Sequence, residues 1–383
     1  MQLNNTIDKT WIEISKEALV HNFRQFKKIT ADRTKIMAVV KANAYGHDLR
    51  IVAPILGRAG TDWFGVDSLE EALQIRSLGI DTPILVLGYI SPPNIKTAIE
   101  YNISITVYGS EVLKKITSLK LQKKAKIHLK VETGLNRQGL EPIEFIKLIK
   151  FINKHEDNIC LEGVSTHFAN VEDTLDPTFA LSQLDRFKQI RGMINELGFK
   201  KVNYHCAASA AAMLYKRAHF NMIRAGVGLY GLWPSKETQI ALKLRKGNSF
   251  SLKPALSWKS VLAQVKKVKA GESVSYGRTW FAPRDSIIGI VPVGYYDGYD
   301  RKLSNNSKII VKGEYVPVVG RIAMNMIMVD LTNAKDVEAG ENVILLGKYK
   351  NKEVSADFLA DNVGTINYEI VSRINPNITR KVV

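Results

Sequence analysis

The stretch Ile36-Met37-Ala38-Val39-Val40-Lys41-Ala42-Asn43-Ala44-Tyr45-Gly46-His47 joins an apolar run to a lysine and then to a turn that contains glycine. The pattern predicts a buried strand that ends at Lys41, and α/β proteins place catalytic groups at such strand ends. Desolvation of an ammonium on an apolar strand lowers the pKa of an amine in general and frees it to attack an aldehyde. Lys41 is therefore a candidate Schiff-base nucleophile, and the alternative is a structural lysine that extends to the rim of the fold.

Short apolar runs recur through the first part of the chain, with amphipathic stretches between them. The runs occupy residues 36–41, 63–66, 84–87, 104–107, 125–131, 161–166, 202–205 and 221–224. Helix signals lie between the runs, such as the N-cap Ser68 with its acidic first turn and the long stretch from Thr178 to Leu197. Parallel strands joined by right-handed helical crossovers account for this alternation. Eight such units predict an α/β fold, a (β/α)8 TIM-type barrel with active groups at the carboxyl ends of its strands.

The pattern changes after about residue 246, where short β-rich runs separated by glycines begin. These runs occupy residues 258–265, 286–293, 308–311, 315–319, 326–329 and 342–346. The sequence therefore predicts two domains, a barrel over residues 1–246 and a mostly β domain over residues 247–383.

Composition limits the location of the protein. The amino terminus has no basic start followed by an apolar stretch, and the apolar segments are far too short to span a bilayer. A cytoplasmic location without membrane insertion is expected. Cys160 and Cys206 lie in strand-like segments, so buried reduced thiols are expected rather than a disulfide.

The net charge of +17 at pH 7 raises the possibility of nucleic-acid binding. The lysines are spread over most of the predicted helices without a basic arm, so a solvated basic surface is the preferred interpretation and no nucleic-acid partner is expected. Such a surface still attracts anionic small molecules. The seven histidines show no metal-type spacing, and no metal site is predicted.

Other predicted strand ends also carry polar residues. They include the segments at residues 130–139, 165–169, 205–211 and 223–231. Ser209 and the segment at Gly226 would offer hydroxyl and backbone N–H donors to a phosphate at the usual position in a barrel. Tight packing of small residues explains either segment equally well when it is taken singly.

Together with the segments at residues 275–280, 294–299 and 319–325, these strand ends resemble alanine racemase. The similarity extends from about Trp11 to Arg380 in the same order and at similar spacing. The resemblance implies a pyridoxal-phosphate-dependent racemase with an amino-terminal barrel and a carboxyl-terminal β domain. It also implies a head-to-tail homodimer in which each active site is built from both subunits.

The resemblance assigns the catalytic residues. Lys41 matches the lysine that binds pyridoxal 5'-phosphate covalently and then acts as the base on one face of the substrate, and Tyr276 matches the base on the opposite face, contributed by the partner chain. Racemisation needs two such groups, because a single base that returns its own proton to the same face regenerates the starting enantiomer. A tyrosine with its usual pKa of about 10 is a poor base near neutral pH, so it needs a positioned partner. His167 matches that partner.

The resemblance also assigns binding residues. Arg224 matches the residue that faces the pyridine nitrogen, and because a guanidinium only donates, that nitrogen would stay unprotonated and be a weaker electron sink. Arg137 matches a residue that contacts the cofactor's phenolic oxygen and the substrate carboxylate, and Lys130 matches a lysine that in some members is carbamylated to brace it. Met324 and Tyr295 match substrate positions. The residues that match the phosphate shell are Tyr45, Ser209, Gly226, Val227 and Tyr368.

Two departures from the family pattern bear on substrate range. Ala208 stands where an asparagine is usual, and Asn325 stands where an aspartate is common. The expected function is interconversion of L- and D-alanine, which would supply D-alanine for peptidoglycan. A racemase of broader range, or one for serine or lysine, is the nearest alternative. A decarboxylase of the same fold, a cofactor carrier and a nucleic-acid-binding protein fit the sequence less well.

Overall fold

The structure is a computed structural model that describes residues 8–119, 121–172 and 175–383. The first seven residues of the predicted barrel domain therefore lie outside the described residues. The chain divides into two compact units. One unit comprises residues 18–44 and 49–253, and the other comprises residues 8–17, 45–48 and 254–383.

Strands and helices alternate through most of the first unit, and strands predominate in the second. The strands of the described residues are β1 (Thr10–Ile14), β2 (Lys35–Val39), β3 (Trp63–Val66), β4 (Ile84–Val86), β5 (Ile103–Val107), β6 (Ala125–Lys130), β7 (Ile159–Ser165), β8 (Asn203–His205), β9 (Met222–Ala225), β10 (Leu256–Val261), β11 (Gln264–Val268), β12 (Ser286–Val291), β13 (Lys308–Val311), β14 (Glu314–Pro317), β15 (Ile327–Asp330), β16 (Asn342–Tyr349), β17 (Lys352–Val354) and β18 (Arg380–Val382). The helices are α1 (Lys16–Ile29), α2 (Lys41–Tyr45), α3 (Leu49–Arg58), α4 (Leu69–Ser77), α5 (Ile95–Glu100), α6 (Ser110–Ser118), α7 (Pro142–Lys154), α8 (Thr178–Glu196), α9 (Ser209–Leu214), α10 (Lys236–Lys246), α11 (Ala356–Val363) and α12 (Asn367–Ser372).

The first unit is built on a parallel sheet with the strand order β8-β7-β6-β5-β4-β3-β2-β9. Its two edge strands approach each other. The amide of Tyr204 donates to Oδ1 of Asn221 at 2.6 Å, and the amide of Arg224 donates to the carbonyl oxygen of Ala207 at 2.9 Å. Within the described residues the sheet is a nearly closed barrel of eight parallel strands, so the predicted barrel is confirmed.

The apolar runs position the barrel strands. Each predicted run coincides with a strand of the sheet to within two residues at either end. The side chains of Met37, Trp63, Leu85 and Met222 pack together in one buried cluster, and they come from four neighbouring strands. Successive residues along these four strands are also buried, so both faces of the sheet are covered and the strands are continuously apolar.

The second unit contains two further sheets and the last two helices. One sheet has the order β14-β13-β16-β10-β1-β18 with β17 added to β16, and the other has the order β11-β12-β15. The predicted mostly β character is confirmed, but β1, β17 and β18 were not predicted, and the run at residues 258–265 divides between β10 and β11 in different sheets. Among the described residues, no helix combines the length and apolarity needed to cross a bilayer.

The two cysteines differ in environment. Both thiols are free, and Cys206 is buried as expected. The prediction that Cys160 is buried is wrong, because this residue is the second residue of β7 and is exposed.

Candidate active site

Lys41 is the first residue of α2, which is a left-handed turn that follows β2 and not a right-handed helix. The φ angles of the next four residues lie between 51° and 54°, and the amide of Ala44 donates to the carbonyl oxygen of Val40 at 2.9 Å. A left-handed conformation costs a non-glycine residue about 1–2 kcal/mol. Such strain persists only where surrounding bonds enforce it, and it concentrates at functional sites.

The carboxylate of Glu71 holds this turn in place. Its Oε1 accepts the amide of Asn43 at 3.0 Å, and its Oε2 accepts the amide of Asp67 at 2.9 Å. The side chain of Asn43 in turn accepts the amide of Leu49 at 2.8 Å. Glu71 lies in the first turn of α4, whose N-cap is Ser68 as predicted. The helix start therefore also fixes the loop that carries the lysine.

The side chain of Lys41 forms an ion pair with Asp67. Its Nζ lies 3.3 Å from Oδ1 of Asp67, and the two side chains are 41% and 58% exposed. A pair this exposed contributes about 0–1 kcal/mol. The expectation that an apolar strand desolvates this ammonium is wrong, because β2 ends at Val39 and the lysine reaches solvent beside a carboxylate.

Arg224 is 7% exposed and is held by several acceptors. Its Nη1 donates to Nδ1 and to the carbonyl oxygen of His205, at 2.9 and 2.6 Å. Its Nη2 donates to the carbonyl oxygens of Thr166 and Cys206, at 2.8 and 3.2 Å, and to Nδ1 of His167 at 3.1 Å. Burial lowers the pKa of Arg224 to about 10, so the guanidinium remains charged near neutral pH.

His167 is kept neutral by its surroundings. Burial, followed by the positive charges of Arg224, Arg137, Lys130 and Lys41, lowers the pKa of His167 to about 3. The four cations lie within electrostatic range of His167, and Arg224 is in direct contact with it at 3.1 Å. Because a guanidinium can only donate, Nδ1 of His167 carries a lone pair and its single ring proton is on Nε2.

Lys130 is the last residue of β6, and its Nζ donates to Oε1 of Gln138 at 2.8 Å. Burial, with further contributions from the charges of Arg224 and Arg137, lowers the pKa of Lys130 to about 8. Roughly a tenth of this amine is therefore uncharged at pH 7. Arg137 itself is exposed on the loop that follows β6.

Glu132 organises that loop. One carboxylate oxygen accepts the amides of Thr133, Gly134 and Leu135, at 2.8, 2.5 and 2.7 Å. Burial opposes ionisation of the carboxyl group, but the backbone donors outweigh it and hold the pKa of Glu132 below its usual value. The charged carboxylate thus fixes the backbone that leads to Arg137.

Ser209 and the segment after β9 form a small polar cradle. The hydroxyl oxygen of Ser209 accepts the amide of Gly226 at 2.9 Å and that of Gly228 at 3.4 Å, and Val227 between them is buried. Since the oxygen serves as acceptor here, the hydroxyl proton can be donated to an anionic ligand. Ala208, which precedes it, adds no polar group.

Within the second unit, Tyr45 and Tyr368 lie next to each other, with ring centroids 6.1 Å apart. Gly46 follows with a φ angle of 79°, and a Cβ atom there would come within 2.1 Å of the carbonyl oxygen of Val371. Nε and Nη2 of Arg380 donate to the carbonyl oxygen of Gly46, at 3.3 and 3.2 Å. The glycine therefore permits the close approach that positions Tyr45.

Tyr276 begins a short 3-10 turn in the second unit and is 71% exposed in the single chain. Ser275, with a φ angle of 67°, donates from its hydroxyl to the carbonyl oxygen of Arg321 at 2.5 Å. This bond connects the segment that carries Tyr276 to the segment that carries Met324.

Met324 and Tyr295 occupy adjoining positions. The amide of Tyr295 donates to the carbonyl oxygen of Ala323 at 3.1 Å, and a Cβ atom on Gly294 would lie 2.4 Å from the carbonyl oxygen of Met324. Both side chains are exposed, at 54% for Met324 and 43% for Tyr295. The residues that line a cavity of about 430 Å³ here are Tyr295, Gly298, Asp300, Arg301 and Arg373.

Several residues of the site were not predicted. Asp67, Glu71 and Glu132 bind the lysine or fix its neighbouring loops, and buried Gln183 donates to the carbonyl oxygen of His167 at 3.2 Å. Only Glu71 had a local signal, as an acidic residue in the first turn of a predicted helix. Within residues 8–119, 121–172 and 175–383, no group of three or more metal-ligating side chains is arranged to hold a metal ion.

Two protein-family models match most of the chain. Residues 14–234 match the family described as alanine racemase, N-terminal domain, and residues 255–382 match the family described as alanine racemase, C-terminal domain. Alanine racemase 1 of Caldanaerobacter subterraneus subsp. tengcongensis is 37% identical over 375 residues, which cover 97% of this chain and 94% of that protein.

Solved structures show the same likeness. Alanine racemase of Clostridium difficile 630 superposes with a TM-score of 0.92 at 34% identity, covering 99% of this chain and 97% of that one. Alanine racemase of Bacillus anthracis superposes with a TM-score of 0.91 at 34% identity, covering 99% of this chain and 96% of that one. Both domains and nearly the full length agree, and the chain therefore belongs to the alanine racemase family of isomerases.

Proposed function

We propose that this protein interconverts L- and D-alanine with pyridoxal phosphate, using Lys41 as one base and Tyr276 of a partner subunit as the other. The observation that carries the proposal is the cluster at the carboxyl ends of the barrel strands, where a lysine on a strained turn accompanies a donor-only arginine and a neutral histidine. The alanine racemase of Bacillus anthracis was solved with bound L-Ala-P, and that of Clostridium difficile in complex with cycloserine.

The donor set fits a pyridine aldehyde that carries a phosphate. Lys41 would hold it covalently, the hydroxyl of Ser209 with the amide groups around Val227 would receive the phosphate, and Arg224 would face the ring nitrogen. When bound, this cofactor supplies the electron sink that stabilises negative charge on the substrate Cα atom.

The hydrogen bonds of Arg224 indicate how it would meet the ring nitrogen. Among the described residues, Nη1 and Nη2 are engaged by backbone and imidazole acceptors, and Nε makes no hydrogen bond. The Nε–H group is therefore the donor available for the pyridine nitrogen. Because arginine stays charged, it donates without giving up its proton, and the weaker electron sink that results limits side reactions.

His167 would assist Tyr276 as a hydrogen-bond donor. Its Nδ1 accepts a hydrogen bond from Arg224, so the only N–H group that the ring can donate is the one at Nε2. A donated hydrogen bond stabilises a phenolate, the form in which a tyrosine can remove a proton. With its pKa lowered to about 3, His167 does not itself compete for that proton.

Exposed residues support the part of the proposal that concerns a homodimer. Tyr276, Met324 and Tyr295 are large side chains that are 71%, 54% and 43% exposed in the single chain. A cluster of exposed large side chains is typical of a surface that a partner covers. The exposed free thiol of Cys160 suits a cytoplasmic location, where supply of D-alanine for peptidoglycan would take place.

A racemase of broader range is the second candidate. Ala208 leaves room and removes a polar group near the cradle of Ser209, and Asn325 is uncharged next to Met324. Turnover of serine or lysine at a rate comparable to alanine would favour this alternative.

The test is a coupled assay for D-alanine formed from L-alanine by the purified protein, with and without added pyridoxal phosphate. We expect formation of D-alanine that increases when the cofactor is added to dialysed protein. Absence of D-alanine in the presence of saturating cofactor would contradict the proposal.

A further inference from the structure

A chain of polar side chains extends through the barrel interior from Arg224 to Glu162. After the bond of 2.9 Å from Arg224 to Nδ1 of His205, Nε2 of His205 lies 2.8 Å from Nδ1 of His128. Nε2 of His128 then lies 3.6 Å from Oε2 of Glu162. Both imidazoles are 0% exposed. A buried polar group lowers the stability of the fold unless it is paired. The burial of three polar side chains in one series within the barrel therefore requires a physical explanation.

The arginine fixes the position of each proton along this path. A guanidinium cannot accept, so Nδ1 of His205 must carry a lone pair and its ring proton must be on Nε2. That proton is donated to Nδ1 of His128, which leaves the proton of His128 on Nε2, directed at Glu162. The first two links are hydrogen bonds that donate in one direction, away from the guanidinium. The third is an electrostatic contact over 3.6 Å, because Nε2 of His128 has no hydrogen-bond partner among the described residues.

The backbone is shaped to allow this arrangement. The register of β6 with β7 shifts between Ile127 and His128, because Ile127 pairs with Leu161 whereas His128 pairs with Gly163. Glu162 is thus the extra residue of a β-bulge, a device that redirects a side chain. A Cβ atom on residue 163 would come within 2.2 Å of Nδ1 of His128, so glycine there makes room for the ring.

The far end of the path is a charged carboxylate. Burial opposes ionisation of Glu162, but its contact with His128 and the hydrogen bond of 2.5 Å from the hydroxyl of Ser104 lower the pKa of its carboxyl group. Lys126 lies 4.0 Å from Oε1. Burial lowers the pKa of His128, and burial lowers that of His205 further, so both rings are neutral between a positive and a negative end.

We propose that Glu162, His128 and His205 form a positioning relay that holds the Arg224 guanidinium with its Nε–H group free for the cofactor nitrogen. The anion at one end polarises two neutral imidazoles in series, and His205 consequently accepts more strongly from Nη1. The relay rests on the proposed function only for the role of Arg224. Its hydrogen-bond directions are a property of the chain itself.

The first test is nitrogen NMR of the imidazoles in the cofactor-free protein near neutral pH. We expect His128 and His205 both to be neutral with the proton on Nε2. A ring protonated on both nitrogens, or on Nδ1 alone, would overturn the proposal. This measurement needs no variant and no activity.

The second test removes the charge at the far end. Glu162→Gln should shift the nitrogen signals of both His128 and His205, whereas Glu144→Gln, an exposed change on α7, should shift neither. A response confined to His128 would show that nothing is transmitted to Arg224 and would overturn the relay.

The third test is kinetic. Glu162→Gln should lower kcat for alanine about tenfold with KM unchanged, a loss similar to the one seen when a residue that orients a metal ligand is replaced. In an Arg224→Lys background the same change should have no further effect, because the relay acts only through Arg224. A further tenfold loss in that background would contradict the proposal. A parent protein with the expected imidazole protons but no racemisation would overturn the proposed function and leave the relay standing.

Discussion

Nη2 of Arg224 lies 3.1 Å from Nδ1 of His167, and this contact determines which of the two ring nitrogens of His167 can act. The arginine occupies the lone pair on Nδ1, so the ring can offer only the proton on Nε2. His167, which the resemblance assigns as the partner of Tyr276, is thereby restricted to the role of a hydrogen-bond donor. The two side chains thus act as one unit.

Replacement of Arg224 should destabilise the barrel as well as slow the reaction. In Arg224→Lys the carbonyl oxygens of Thr166, His205 and Cys206 lose the fixed guanidinium donors, and we expect a loss of about 2–4 kcal/mol in the free energy of unfolding. Urea denaturation measures this loss. Arg217→Lys, on an exposed turn, should change it by less than about 0.5 kcal/mol. Equal stability of Arg224→Lys and the parent would contradict the account of this network.

Acid should destabilise the fold at a pH where ordinary carboxyl groups are still charged. The pKa of His167 falls from 6.5 to about 3 on folding, so the unfolded chain takes up a proton below about pH 6.5 while the folded chain does not. Stability present above this pH is therefore lost on acidification, by about 1.4 kcal/mol per pH unit for each such histidine. His205 and His128 shift in the same direction.

Urea denaturation between about pH 7 and pH 5 measures this dependence. His167→Gln is the matched variant, because it keeps a polar side chain and removes one titrating group. Its stability should fall less steeply on acidification than that of the parent. A variant with the same slope as the parent would show that His167 is protonated in the folded state.

The left-handed turn predicts an unusual response to glycine. Ala42 is exposed and has a φ angle of 54°, so Ala42→Gly should relieve strain and raise the free energy of unfolding by up to about 1 kcal/mol. Ala241→Gly, in the helix α10, should lower it by about 1 kcal/mol. Thermal or urea denaturation of the two variants measures the difference. A loss of similar size in both would mean that the turn is not strained.

Lys41 should be required for covalent retention of the cofactor. We expect Lys41→Ala to lose the absorption of bound pyridoxal phosphate near the visible edge, while Lys147→Ala on α7 keeps it. The measurement is an absorption spectrum after dialysis against buffer without cofactor. An unchanged spectrum of Lys41→Ala would refute the cofactor assignment.

Features that depend on neighbouring residues could be predicted from the sequence. The barrel strands are buried apolar runs, so their positions follow from local composition, and Lys41 was identified because it directly follows one of them. The strands β1 and β18 were missed because each is short and pairs with a segment far along the chain.

Features that depend on tertiary contacts could not be predicted. The turn at Lys41 is fixed by Glu71, which is distant in sequence, and the solvent exposure of the lysine depends on where β2 ends. The path from Arg224 to Glu162 requires closure of the barrel and a bulge in β7, neither of which leaves a local signal. In the proposed function Tyr276 acts in the site of a partner chain, and the sequence of one chain does not specify that contact.

Complementation between two inactive variants tests the central claim, that Lys41 of one subunit and Tyr276 of another complete each site. Tyr276→Phe alone should lower turnover of L-alanine by about 10²–10⁴-fold while it still binds cofactor. Lys41→Ala alone should be inactive. After the two are unfolded and refolded together, half of the dimers are mixed and each has one intact site, so activity should recover to about a quarter of the parent value. Activity that stays at the level of the separate variants would contradict a site shared between subunits.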